Sequence, residues 1–423
     1  MTTLRPTLLS LTLLLTGIAH AESDATAAFP FSIPAEKPDR PLSEAMHRLY
    51  DQYLATIPEN HELYTNFRYT PLQGFDYHDG NGTVSRRDPS KVIKVGGKFY
   101  VWYTKRDTET PPLGLSRAAE ATDTIPSSDW DLSEIWYATS TDGFTWTEQG
   151  VAVPRPAKPQ PGWRSVSTTD VLYWKGKYYL YYQAFMQVSG LRGDDCPVAV
   201  SYADSPDGPW TPANQIVIPN GAPGEWDQFS IHDPYPLVYQ GKIYLYYKSD
   251  WNGKPNLLRS TGLAIADNPL GPFVKHPLNP VLNSGHETGL FPFKGGIAAI
   301  VHHNGLEHNT IQFAPDGVNF HVESTNTFPP IAAGPHVPDA FTNTKDGRGI
   351  TWGLSHFTNA GTSRETQHSI LVRFDCDLSQ DLDDPAMKGT NLFIKPEVYF
   401  SQKLTAEQRK RIQAENASAP ANP

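Results

Sequence analysis

The chain has 423 residues, 39% hydrophobic and 19% charged, enough for a large core built as one repetitive domain or two ordinary ones. Its formal net charge is −10 and it has no basic cluster, so it lacks the electrostatic footprint of a nucleic-acid binder and points to a neutral or weakly charged ligand. No apolar run is long enough to span a membrane comfortably.

At the N-terminus, Met1 to Arg5 is short and basic, Leu8 to Ile18 is apolar, and Ala19-His20-Ala21 has the small-x-small cleavage pattern. Residues 1–21 read as a signal peptide. No cysteine follows the apolar run, so export as a soluble periplasmic or secreted protein is expected. Residues 22–66 form an N-terminal region. An Ala- and Pro-rich arm from Glu22 to Pro41 leads into a short amphipathic helix over Leu42–Ile57, with Leu42, Met46, Leu49, Tyr53 and Ile57 at helical spacing. So short a helix is marginal alone and needs a partner surface.

Over residues 67–400 the helical period nearly vanishes. Short alternating runs rich in Tyr, Val, Ile and Trp recur between Gly, Pro, Asn and Asp. Strand pairs are expected around Val92–Thr104, Val171–Ala184, Pro234–Ser249, Ile297–Gln312 and Gly349–Phe357. The first three share a design: an acid (Asp88, Asp170 or Asp233), a strand, a Gly-Lys turn, and an aromatic alternating strand. Four pairs are followed by a shared turn, as at Asp142-Gly143, Asp207-Gly208 and Asp316-Gly317, where Asp-Gly supplies positive-φ positions. A repeat of roughly 55–80 residues giving about four strands has the period of a propeller blade. The expected fold is all-β: a five-bladed β-propeller with a short N-terminal helical arm and a C-terminal helix. Within residues 401–423, Leu404–Asn416 reads as that helix, with Thr405 and Gln408 as a capping-box pair. The two cysteines, Cys196 and Cys376, are either one disulfide or two isolated buried thiols.

In a propeller the innermost strands line a central channel, so acids at equivalent strand starts approach one another. Asp88, Asp170, Asp233 and Glu287 each stand just before a strand. Glycosidic cleavage needs two carboxyl groups, or an equivalent acid and base, on opposite sides of one bond. A single Asp before a strand is ordinarily a turn or cap residue; three in one register argue for a site. His232-Asp233 and His286-Glu287 each pair an imidazole with a carboxyl, and such a histidine titrates where it can donate a proton near neutral pH. Gly285, Gly289 and Phe291 beside the second pair suit close backbone approach to a ligand. Trp130, Trp136, Trp163, Trp226 and Trp251, in loops or near strand ends, offer either sugar stacking or inter-blade packing. Thr168, Thr169 and Gln183 are suited to sugar hydroxyls. The histidines lack close-spaced metal motifs, so any cation would be held across several blades by ligands the sequence leaves unknown.

Arg86-Arg87-Asp88-Pro89-Ser90-Lys91-Val92-Ile93, Arg164-Ser165…Asp170, His232-Asp233-Pro234 and Gly285-His286-Glu287-Thr288-Gly289 resemble glycoside hydrolase family 117, the α-1,3-L-neoagarooligosaccharide (neoagarobiose) hydrolases. The resemblance runs from Pro41-Leu42-Ser43…Arg48…Tyr50 to the last blade. It implies a five-bladed propeller that releases 3,6-anhydro-L-galactose from the non-reducing end of agar-derived oligosaccharides, with inversion. On this resemblance Asp88 is the general base. Asp233 orients the sugar and adjusts its neighbours' proton affinity, Glu287 completes the acidic set, and His286 is the general acid. His232, Thr168, Thr169 and Gln183 contact the sugar, with Arg87, Trp130 and Trp136 counted in the binding set. The resemblance also implies a homodimer through exchanged N-terminal helices and a divalent cation near the propeller centre, although nothing in the sequence requires a cofactor. Two other readings stay open. One is an arabinofuranosidase or xylosidase of family 43 type, which would use a Glu as acid. The other is a non-catalytic carbohydrate-binding propeller.

Overall fold

Two-residue turns set the hairpins. Gly96-Gly97, Lys175-Gly176 and Gln240-Gly241 all lie in the left-handed region, with φ of 55° and 85°, 48° and 88°, and 49° and 72°. Two successive left-handed residues make the type I′ turn, whose twist matches that of the strands it joins. The structure, a computed structural model, describes residues 36–51, 61–189, 196–250 and 259–381 apart from 224, 229, 284, 287, 303–304, 306, 344–345, 362 and 364, together with 387 and 414. The expected signal peptide, the C-terminal helix over Leu404–Asn416, and the residues Glu287 and Trp251 lie outside the described residues.

The chain is all-β with several antiparallel sheets. The first sheet takes Val84–Arg87, Lys98–Asp107, Glu134–Ser140 and Thr147–Val153, with Ile93–Val95 added beside the second of these. Ser165–Trp174, Lys177–Phe185, Val198–Ala203 and Thr211–Ile218 make the second. His232–Tyr239, Lys242–Asp250, Arg259–Ala266 and Val274–Lys275 make the third. An eight-stranded sheet has two halves, joined among the described residues where Phe293 and Lys294 pair with Arg348 and Gly347. One half runs from Gly289–Lys294 to His321–Thr325. The other contains Gly334–Pro335, Gly347–Phe357, Ile370–Ser379 and the early strand Arg68–Pro71.

The sheets touch in chain order, and the circuit closes. Lys98–Asp107 meets Ser165–Trp174, which meets His232–Tyr239, which meets Gly289–Lys294; Gly347–Phe357 and Ile370–Ser379 then return to Val84–Arg87. The core is accordingly divided among the interfaces between consecutive sheets. Trp102 and Ile135 pack with Val171 and Leu180, Leu172 and Val200 with Leu245 and Ala264, Leu237 with Phe291 and Ile297, and Val101 and Tyr103 with Trp352 and Leu354. Sheets buried on both faces explain the near-continuous aromatic strands in the sequence.

The N-terminal helix spans Glu44–Tyr50, with Ser43 as N-cap accepting from the Met46 N–H at 3.2 Å. Its partner surface is the body of the chain. Leu42 and Met46 pack with Trp226, and Arg48 holds Glu307 through two bonds of 2.6 and 3.0 Å. The expected continuation to Ile57 runs into residues outside the description, and Asp51 is already extended. Cys196 and Cys376 are two buried thiols, not a disulfide. Among the described residues no helix is long and apolar enough to cross a membrane.

Candidate active site

The site is built from an irregularity repeated at the start of successive inner strands. In the second sheet Ser167 faces Gln183, but the next pair is Asp170 with Tyr181. In the third, His232 faces Lys248 and the next pair is Tyr235 with Tyr246. One extra residue on the inner strand makes a bulge, which re-aims a side chain off the sheet. The re-aimed residues are Thr168 and Asp233, with φ of 41° and 52°. Asp88, at the end of Val84–Arg87, has φ 51°, and Ala332, before Gly334–Pro335, has φ 49°. Left-handed backbone is uncommon outside glycine and tends to persist where surrounding structure enforces it, often at functional sites. These four residues, with Pro89, Thr169, Pro234 and Ala333 directly after them, line one cavity. Thr288, neighbour of the undescribed Glu287, lines it as well.

Asp88 is buried and densely held. Arg87 Nε donates to its two carboxylate oxygens at 3.0 and 2.9 Å, and the hydroxyls of Thr104 and Thr168 donate to Oδ2 at 3.2 and 3.1 Å. Arg87 also lies over the Trp130 ring, 4.8 Å from its centroid. Behind Asp88, His356 Nδ1 accepts from the Asp88 N–H at 3.2 Å and stands 3.5 Å from Oδ1. Burial, reinforced by Arg87, pushes the His356 imidazole down to about 3. His356 is therefore neutral, with its proton on Nε2.

Asp233 faces the buried Lys248, whose Nζ is 3.6 Å from Oδ2. His232 departs from expectation. Burial, with Lys248 and Arg259 nearby, holds its ring well below the ordinary histidine range, so it is not a proton donor near neutral pH. Its Nε2 has no hydrogen-bond partner among the described residues, which suits it to a ligand contact instead. Gln183 Oε1 is likewise buried and unpartnered among the described residues. Thr169 turns its hydroxyl into its own sheet, onto the Tyr181 carbonyl at 2.9 Å. His286 Nδ1 lies 2.9 Å from Arg259 Nη1. A guanidinium only donates, so Nδ1 accepts there and the ring proton sits on Nε2. Gly285, with φ 119°, is required beside it: a Cβ would lie 2.2 Å from Thr288 Oγ1.

Two expectations fail geometrically. Asp170 does not share the register of Asp88 and Asp233; Thr168 does. Asp170 also lines the cavity, but as a buried partner of Lys91, bound by its Nζ at 2.5 Å and its backbone N–H at 3.0 Å. Trp136 is not brought to the cavity. It lies within Glu134–Ser140 under the Lys105 ammonium, packed beside Val101, Tyr103 and Trp352. Trp226 stacks on Tyr247, and Trp163 carries Lys158. Sequence reasoning missed Thr104, Lys248 and His356, which support the cavity residues from the second strands. A signal existed for two of them: Trp102-Tyr103-Thr104, Tyr181-Tyr182-Gln183 and Tyr246-Tyr247-Lys248 each end an aromatic run on a polar residue.

A divalent cation at the centre would need carboxylates with coordination sites to spare. The cavity acids each face a cation of the chain itself: Asp88 has Arg87, Asp170 has Lys91, and Asp233 has Lys248. No cluster of three metal-ligating side chains exists among the described residues. The donor set described does not fit such an ion.

The family model for glycosyl hydrolases family 43 matches residues 84–261. No curated protein matches the chain. Among solved structures, a β-xylosidase/α-arabinofuranosidase of family 43 from a compost microbial metagenome is 16% identical, covering 72% of this chain and 94% of its own, with a TM-score of 0.47. An α-L-arabinofuranosidase from Podospora anserina is 13% identical, covering 74% and 98%, with a TM-score of 0.46. A family 117 glycoside hydrolase produced by the marine bacterium Zobellia galactanivorans is far more similar: 61% identical, covering 82% of this chain and 100% of that one, with a TM-score of 0.77. With that identity over the whole of that enzyme, the chain belongs to glycoside hydrolase family 117.

Proposed function

We propose that the chain is a five-bladed propeller, the two halves of the eight-stranded sheet counting as separate blades. Its reaction is removal of 3,6-anhydro-L-galactose from the non-reducing end of neoagaro-oligosaccharides by hydrolysis of the α-1,3 bond, with inversion. The observation that carries this reading is the convergence of Asp88, Thr168 and Asp233, from three sheets, on one small cavity. In this reading Asp88, kept as a carboxylate by Arg87 and two hydroxyls, takes a proton from the attacking water. Asp233 with Lys248 orients the sugar, and His232 and Gln183 contact its hydroxyls. Glu287 completes the acidic set. His286 would protonate the leaving oxygen through Nε2. Losing that proton from a neutral ring would leave an imidazolate, so the acid role requires the Arg259 contact to open.

Export behind residues 1–21, a catalytic domain over 67–400 and dimer formation by exchange of the N-terminal helix belong to the same proposal. The test is incubation with neoagarobiose, with NMR identification of both products and of the anomer formed first. Appearance of 3,6-anhydro-L-galactose is expected, and an intact disaccharide sinks the reading. The match to the family 43 model favours one second reading, an arabinofuranosidase or xylosidase. Cleavage of an aryl arabinoside in place of neoagarobiose would select it.

A further inference from the structure

Among the four left-handed residues that line the cavity, Asp88, Thr168 and Asp233 carry groups that ionise or hydrogen-bond. Ala332 carries only a methyl. Glycine or asparagine would adopt its φ of 49° more readily, so the backbone alone does not call for alanine. Its neighbours extend the same character. Ala333 follows it, and Pro89 stands across the seam toward the first sheet, giving an arc of three cavity-lining side chains with no donor or acceptor. The arc has a tight backing. A Cβ on Gly334 would lie 2.6 Å from the Pro89 carbonyl oxygen, and one on Gly289 2.7 Å from that of Ala333. The cavity lining thus combines carboxylates and hydroxyls, Thr288 among them, with this hydrocarbon arc.

We propose that Ala332, flanked by Pro89 and Ala333, is the specificity-determining arc of this cavity. It receives the edge of the terminal sugar that presents C–H groups, and so selects an anhydro sugar over its parent hexose. The internal ether of an anhydro sugar has consumed two hydroxyls, whereas a hexose would bury hydroxyls against the methyls with no partner. The inference rests on the reading of the cavity as a terminal-sugar site.

The experiment measures dissociation constants of 3,6-anhydro-L-galactose and L-galactose by NMR titration against the full chain and its Ala332→Asn and Ala332→Ser variants. Asn tolerates the left-handed backbone, and Ser adds a hydroxyl with little bulk, so a failure of either variant to fold leaves the other to decide. The wild type is expected to prefer the anhydro sugar by roughly 10- to 100-fold, and the variants to reduce that preference to about threefold or less. No preference in the wild type overturns the proposal. So does a preference that survives both substitutions, including the case where both sugars weaken equally because the added atoms merely obstruct. Hydrolysis of neoagarobiose is scored separately. Cleavage without preference removes the arc and leaves the proposed function; preference without cleavage does the reverse.

Discussion

At Asp88 a left-handed backbone, an adjacent guanidinium, two hydroxyls and a neutral imidazole converge on one carboxylate. The guanidinium and the hydroxyls fix the direction of its oxygens and the imidazole holds its backbone N–H, so replacement by Asn should keep the shape while removing the basicity. The left-handed region tolerates Asn well. Asp88→Asn is expected to lower kcat by about 10²- to 10⁴-fold while the oligosaccharide binds within a few-fold of wild type, as read by steady-state kinetics and calorimetry. Turnover close to wild type would exclude Asp88 as the base. Its place, like that of Asp233, was legible because an acid followed by Pro opens a strand run. The equivalence of Thr168 to Asp233 was legible only by counting. Thr168 and Asp233 stand equally far ahead of Lys177 and Lys242, and Asp170 two residues nearer. The bulge that re-aims Thr168 leaves Asp170 inside the strand, where Lys91 neutralises it. The lowered proton affinity of His232 was not legible, because its burial, and the approach of Lys248 and Arg259, arise only in the folded chain.

Pairs of strands, more than single strands, are the units that place the chemistry. An inner strand carries a cavity residue, and its hairpin partner carries the group behind it: Thr104 opposite Arg87, Gln183 opposite Ser167, Lys248 opposite His232. In the last group of strands the corresponding residue is His356, whose N–H reaches the Ile331 carbonyl. The aromatic runs and Gly-Lys turns made the first three hairpins readable in sequence. His356 lies in Gly347–Phe357, which pairs with Ile370–Ser379 and has no such turn to announce it. Its burial has a measurable consequence. An imidazole held at about 3 in the fold and near its ordinary value when unfolded costs nothing above that value, where both states are neutral. As pH falls below about 6.5 the unfolded chain takes up a proton that the folded chain refuses, so stability declines, by on the order of a few kcal/mol as pH approaches 4. Urea unfolding across that range should show the decline in wild type and a flatter dependence in His356→Gln. Equal slopes would mean that another group titrates.

Closure of the circuit depends on a strand recruited from the far end of the described chain. Arg68–Pro71 pairs with Ile370–Ser379 from Arg68 with Asp375 to Pro71 with Val372. Composition and period made a circular array of sheets legible, but not the junction that fuses two groups of strands at Phe293 and Arg348. That pairing covers two residue pairs and has no periodic signature. The closing strand holds by more than its ladder. Phe67 and Tyr69 are buried, in ring contact with Phe374 and Phe357, and the Tyr69 hydroxyl donates to the Phe328 carbonyl at 2.6 Å. Pro71, without an N–H, suits an outer edge. Deleting the chain through Pro71 would strip these aromatics and leave Ile370–Ser379 as a bare edge, inviting strand pairing between copies. The Asp88–His356 contact also bridges the first sheet and the strands that Arg68–Pro71 closes, so the site should loosen with the seam. The truncated chain is expected to lose roughly 10 °C or more in Tm, since each buried aromatic is worth about 3–5 kcal/mol, and to lose turnover in parallel. Tyr69→Phe, which removes one hydrogen bond of about 1 kcal/mol, should leave turnover unchanged. A truncation that keeps both Tm and activity would show that the inner strands hold the circuit without the outer clasp.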